Sequence, residues 1–232
     1  MLIHPWDAGG SDEEWVDFVR GTGGTPANGG VVGGGVAGGG IAAGGGFGHL
    51  VASGRDRDVP VVVPTQFALV SADLVLLHLA RPNPIWSALA ENPSVLLSIA
   101  GDWAYIPAAW KAIGDEDPRM GVPTTYYAAV QLIATAQVVD DEAGKAEILR
   151  VQLGVTEPGS GAADPAEHGR RLAGIRGLRL TIREVRAKFK YGGNVDDAHR
   201  AEVAERLRER GGPGDAAALA HLRRRDLEAQ LE

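Results

Sequence analysis

Residues 124–139 alternate between apolar and polar side chains with a period of two. Tyr126, Ala128, Val130, Leu132, Ala134 and Val138 fall on one side, and Gln131, Thr135 and Gln137 on the other. Only an extended chain puts residues i and i+2 on one face, so this stretch is expected to form a long, half-buried strand. Such a strand needs partner strands, and the rest of the sequence supplies candidates.

Strand-like runs occupy residues 47–52, 59–70, 74–79, 94–100, 103–106 and 178–183, with the arginines of the last pointing outward. Polar turns separate them at 53–58, at Ser71-Ala72-Asp73 and at Gly101-Asp102. Pro60 and Pro64 remove ladder donors, so the 59–70 strand is expected at an edge or with a bulge. Short strands joined by turns, with few helices between them, predict an antiparallel barrel, mainly β with α.

The helices carry recognisable caps. Ser11 and Glu14 form a capping box ahead of an apolar face of Trp15, Phe18 and Val19, giving a helix through Arg20. Asn83 serves as N-cap and Pro84 as first residue of a helix over 84–91, which buries Ile85, Trp86 and Leu89 before Asn92-Pro93 stops it. Asp140-Asp141 open a helix to about residue 153, and an exposed loop covers 156–167. Asp196-Asp197 open another helix to Arg210, Gly211-Gly212-Pro213-Gly214 break it, and Asp215 starts the last.

Residues 21–48 are very rich in glycine. Gly33-Gly34-Gly35-Val36-Ala37-Gly38 satisfies the G-x-G-x-x-G dinucleotide pattern, but no strand precedes it and no helix follows. Residues 21–45 are read as a flexible insertion. The resulting organisation is an N-terminal helix (1–20), the glycine-rich insertion (21–45), a cofactor-binding barrel domain (46–192) and a C-terminal helical appendage (193–232).

Composition excludes several chemistries. Cysteine is absent, which removes disulfides, thiolate metal sites and cysteine nucleophiles. The six histidines, His4, His49, His78, His168, His199 and His221, stand apart, with no i,i+4 pair and no Ser-His-Asp arrangement. The N-terminus lacks a basic region followed by an apolar stretch, and no long apolar run suggests a membrane span, so a cytoplasmic location is expected. Net charge is −7, divided as −12 over residues 1–168 and +5 over 169–232. A basic tail behind an acidic body suits nucleic-acid contact, or equally a mixed-charge helical tail that pairs its own charges.

One stretch carries the functional reading. In His78-Leu79-Ala80-Arg81-Pro82-Asn83-Pro84-Ile85-Trp86 a strand delivers Arg81 beside a helix N-terminus, a combination that suits phosphate or carboxylate, or else an ordinary surface arginine. This sequence resembles the signature of the PaiB-like family, FMN-binding negative transcriptional regulators built on a flavin-binding split β-barrel. Three later stretches fit in the same order: Gly101-Asp102-Trp103-Ala104-Tyr105-Ile106-Pro107-Ala108-Ala109-Trp110, then Gly121-Val122-Pro123-Thr124-Thr125-Tyr126-Tyr127, then Gly174-Ile175-Arg176-Gly177 continuing to Lys188-Phe189-Lys190.

The resemblance implies an FMN site at the interface of a homodimer. Arg81 would meet the phosphate, with Asn83 and Trp86 beside it. Tyr105, Trp110 and Tyr126 would line the isoalloxazine, and Thr124 and Thr125 would bond phosphate or ribityl oxygens. Lys188 and Lys190 would reach a phosphate across the interface. Gln66 stands where the family usually carries histidine; it keeps hydrogen bonding to a flavin ring but cannot shuttle protons. Two further departures are Thr125-Tyr126 in place of a Trp-Asn pair and Lys111 in place of a tyrosine.

The implied function is a transcriptional regulator or a flavin-dependent oxidoreductase. A second reading is a haem enzyme similar to the piperazate synthases, which form an N–N bond, with His78 or His49 as axial ligand. A third is a non-catalytic dimeric barrel that has lost its cofactor.

Overall fold

The computed structural model describes residues 1–9, 11–21, 44–112 and 116–229. The glycine-rich insertion and its G-x-G-x-x-G pattern therefore lie outside the described residues, apart from the insertion's two ends. Six strands close as a barrel in the order β1-β2-β3-β6-β5-β4. They are β1 (Gly44–Ala52), β2 (Val61–Ser71), β3 (Leu74–Ala80), β4 (Ser94–Ile106), β5 (Thr124–Val139) and β6 (Ile175–Lys190). Five helices accompany them: α1 (Asp12–Gly21), α2 (Ile85–Glu91), α3 (Glu142–Thr156), α4 (Asp197–Arg210) and α5 (Asp215–Ala229). The chain divides into two compact units, and β4, β5 and β6 contribute residues to both.

The larger unit comprises Val16–Ile99 and Gln131–Arg186. Its core is aliphatic: Leu50, Leu69, Leu77, Leu97, Leu132, Leu178 and Leu180 are buried with Phe67. β1 pairs antiparallel with β2 along its length, and its last four residues pair with β4. Gly46 is needed at its place, because a Cβ there would lie 2.4 Å from the Phe67 ring. β3 joins β2 only from Ala68 onward, with a register shift between Leu69 and Ser71. Pro64 thus sits in the singly paired half, where a missing donor is tolerated, so both the edge and the bulge expected of this strand are present.

The smaller unit comprises Met1–Trp15, Ala100–Val130 and Ala187–Glu232. Its core is more aromatic, with Tyr126, Phe189 and Tyr191 buried among Ile106, Val203, Leu207 and Leu222. Tyr191 donates to the Asp102 carbonyl at 2.8 Å, and its ring stacks on His221 at 4.4 Å. His221 Nε2 in turn meets the Asp102 carboxylate at 2.8 Å. Asp102 has φ +50 and is held there by these two contacts. The Gly101-Asp102 pair therefore kinks one continuous strand, β4, instead of ending it in a turn as expected.

Three other expectations are corrected. The alternation of β5 slips after Ala134, so Val138 is exposed and Val139 is buried. The 178–183 strand and the Lys188-Phe189-Lys190 stretch after it belong to a single strand of 16 residues, β6. The loop expected over 156–167 is shortened at both ends, by α3 running to Thr156 and by a 3₁₀ segment at Pro165–Gly174. The Asn83 cap holds: its Oδ1 accepts from Ile85 N–H at 3.0 Å, although regular helix begins one residue later than expected.

Candidate functional site

The candidate residues fall into the two units. Gln66, His78, Arg81, Asn83 and Trp86 belong to the larger one, together with His49. Tyr105, Trp110, Thr124, Thr125, Tyr126, Lys188 and Lys190 belong to the smaller.

In the larger unit the guanidinium of Arg81 is already engaged. Its Nη1 and Nη2 bond both oxygens of Asp140, and its Nε donates to the Ala173 carbonyl at 2.6 Å. Asp140 also meets Arg176 at 3.1 Å and Lys145 at 3.5 Å. These partners, Arg81 first, pull its carboxyl down to about 2. A planar fork bonded to a carboxylate in the two-point geometry that phosphate would need is not an open phosphate site. The other residues are likewise engaged: Asn83 caps α2, and buried Trp86 donates Nε1–H to the Ala80 carbonyl at 2.9 Å, with the Arg176 guanidinium 5.6 Å over its ring. The side chains of Gln66 and His49 lie exposed on β2 and β1.

The smaller unit holds a different electrostatic arrangement. Lys190 Nζ donates to Thr124 Oγ1 at 2.6 Å. Lys111 lies 3.4 Å from His199 Nε2, and its ammonium is held below the ordinary lysine range, first by burial and then by the nearby charge of Lys190. His199 is pushed down in the same way, by burial and then by Lys111. Among the described residues no carboxylate lies within ion-pair distance of Lys111 or Lys190. Two half-buried ammonium groups thus repel one another with no counter-charge bonded to them, an arrangement that a bound anion would relieve.

Lys188 does not belong to this group. It is buried, donates to the Leu2 carbonyl at 2.9 Å and pairs with Asp7 at 3.4 Å, so its charge fixes the N-terminal segment against β6. Tyr126 is also withdrawn, only 1% exposed and packed edge-on against Tyr191. Its hydroxyl finds no hydrogen-bond partner among the described residues, and burial pushes its pKa up to about 12. Tyr105 is 52% exposed, as is its neighbour on the same face of β4, Trp103, at 60%. One face of Trp110 is covered by the Arg210 guanidinium at 4.7 Å. Thr125 is half-buried at the start of β5.

A family model described as "Putative FMN-binding domain" matches residues 41–184. The chain belongs to the PaiB-like FMN-binding family. A PaiB-like relative, "Protease synthase and sporulation protein PAI 2" of Bacillus subtilis (strain 168), is 24% identical over 192 residues, covering 80% of this chain and 89% of its own. Among solved structures, a conserved hypothetical protein of Mycobacterium tuberculosis aligns with a TM-score of 0.53 at 14% identity, covering 84% of this chain and 94% of its own. The FAD and heme binding protein of Mycobacterium smegmatis aligns with a TM-score of 0.50 at 18% identity, covering 67% and 70%. These likenesses show the split-barrel fold, and the expected fold class is thereby borne out.

FMN is the cofactor of the PaiB-like family, and its phosphate is a compact dianion. The donor set in the smaller unit fits such a group: two ammonium groups with no carboxylate paired to them among the described residues, a threonine hydroxyl bonded to one of them and a second threonine next in sequence. The Arg81 fork does not fit, because Asp140 fills it. Two of the residues that matter here, Lys111 and His199, were not among the candidates. Lys111 had been visible only as a departure from the PaiB-like pattern, and His199 sits on α4, far along the chain from β5.

Proposed function

We infer that this chain binds FMN with the phosphate held by Lys111, Lys190 and Thr124, and that it acts as a flavin-dependent oxidoreductase. The uncompensated pair Lys111–Lys190 carries this reading. When bound, FMN supplies hydride and single-electron transfer. The protein's part is positional. Lys190 and Lys111 neutralise the phosphate, and the Lys190–Thr124 bond sets the side chain's direction. Thr124 retains its own hydroxyl hydrogen to donate to a phosphate or ribityl oxygen. Tyr105 and Trp103, adjacent on the exposed face of β4, offer flat apolar area for a planar ring or a second subunit. A homodimer with the flavin at its seam belongs to the same proposal.

The C-terminal helices favour this reading over a DNA-binding regulator. On α4, Arg200 pairs with Asp197, Arg206 with Glu202, Arg208 with Glu205 and Arg210 with Asp215. Each of these four arginines is thus held by a nearby carboxylate, which leaves α4 with fewer open cations for a phosphate backbone. The haem reading is weaker for a physical reason. The cavity beside His78, about 260 Å³, is smaller than the roughly 300–1,000 Å³ that drug-sized ligands occupy. An absorbance spectrum after reconstitution separates the flavin, haem and cofactor-free readings. Flavin bands near ~370 and ~450 nm support the proposal, whereas a Soret band near ~400 nm, or no retained chromophore, overturns it.

A further inference from the structure

The cavity beside His78 lies wholly within the larger unit, between β3, α3 and the 3₁₀ segment Pro165–Gly174. Its walls are Leu149, Leu153, Leu172 and Ile175, and its polar lining is His78, His168 and Arg171. Among the described residues no carboxylate lines it. Arg171 is exposed, and among the described residues its guanidinium makes no ion pair and no hydrogen bond. The segment that carries Arg171 is fastened to α3 by a two-point ion pair between Arg150 and Asp164, at 3.1 and 2.8 Å.

The orientation of His78 is fixed by a short relay. A backbone carbonyl can only accept, so the Gln152 nitrogen must be the atom facing the Gln66 carbonyl at 3.4 Å. The Gln152 oxygen then faces His78 Nδ1 at 2.7 Å, which makes Nδ1 the donor. Nε2 is the ring nitrogen left for a ligand. Gln152 is itself buried, so the link from His78 to the β2 backbone runs through the interior.

We propose that this cavity is a second binding site, separate from the flavin residues, that takes a small carboxylic acid with an aliphatic or aromatic body. Arg171 meets the carboxylate, the four aliphatic side chains cover the body, and His78 and His168 supply the remaining hydrogen-bonding groups. The size sets the class: at about 260 Å³ the space suits a molecule smaller than a typical drug. The proposal rests on the larger unit alone and does not depend on the FMN reading.

The test is a titration of the full chain, with and without FMN, using benzoate, 3-methylbutanoate and the neutral isostere benzamide, followed by ligand-observed NMR. Both acids are expected to bind, benzamide at least about tenfold more weakly, and Arg171→Ala is expected to lose about tenfold for the acids, the worth of one charged hydrogen bond. Leu153→Trp, which fills the space from a partly exposed position, is expected to abolish binding while leaving the circular dichroism spectrum unchanged. Absence of acid binding to the wild type overturns the proposal. So does equal binding of benzoate and benzamide, or undiminished binding by Arg171→Ala.

Discussion

Lys190 donates to the hydroxyl of Thr124 at 2.6 Å, joining the end of β6 to the first residue of β5. The partner is neutral, so the bond orients the ammonium without cancelling its charge. Arg81, in contrast, bonds a carboxylate through both terminal nitrogens. Of the two cations, Lys190 is the one whose charge remains to be used.

Arg81→Ala is therefore expected to leave FMN affinity within about threefold of wild type, whereas loss of a charged donor to phosphate costs about 1.5–3 kcal/mol, or at least about tenfold. Fluorescence quenching of FMN on titration with each variant reads this directly. A tenfold or larger loss on Arg81→Ala would return that residue to the cofactor site.

The Arg81–Asp140 pair is expected to appear in the acid limb of stability. Asp140 sits at about 2 in the folded chain against an ordinary 3.8, mainly through its bonds to Arg81. A carboxyl lowered on folding contributes stability above its unfolded value, and that contribution is lost as pH falls through the folded one. The melting temperature should thus fall less steeply between about pH 4 and pH 2 in Asp140→Asn than in wild type. Parallel calorimetric curves for the two proteins would contradict this.

His199 offers a spectroscopic reading of phosphate binding. Its pKa lies below the ordinary histidine value because of burial and then the neighbouring Lys111 charge. A dianion beside Lys111 opposes the second cause, so FMN should raise the His199 midpoint in an imidazole NMR titration, with riboflavin causing a smaller rise. An unchanged or lowered midpoint with FMN would place the phosphate elsewhere.

Tyr126 and Gly192 form a pair whose strain can be separated. A Cβ on Gly192, which has φ +76, would lie 2.5 Å from the unpartnered Tyr126 hydroxyl. Gly192→Ala is expected to destabilise by roughly 2–4 kcal/mol, from backbone strain and overpacking together. Tyr126→Phe removes a buried hydroxyl with no partner, and should cost nothing or stabilise by up to about 1 kcal/mol. Added to Gly192→Ala, it should recover the overpacking part, as urea unfolding of the double variant would show.

Much of the barrel was legible because period-two burial is a local signal: in β5 buried residues alternate from Tyr126 to Ala134, enough to mark the strand although the pattern slips before its end. The boundaries that failed were set by distant partners. Asp102 looked like a turn residue, and it kinks a strand because Tyr191 and His221 hold it from elsewhere in the chain. The site was less legible for the same reason. Arg81 looked available until Asp140, 59 residues later, filled its fork. Lys188 and Lys190 are equivalent in sequence, yet only the first meets Asp7. The importance of Lys111 depends on His199, 88 residues away, which no local pattern relates to it.

The central claim is that the paired lysines hold a phosphate, and comparing FMN with riboflavin isolates that group. The measurement is the dissociation constant of each flavin for wild type and for the Lys111→Ala/Lys190→Ala double variant. Wild type should prefer FMN by at least about tenfold, and the double variant should bind both flavins alike, near the wild-type affinity for riboflavin. Equal binding of the two flavins by wild type, or an intact FMN preference in the double variant, would contradict it.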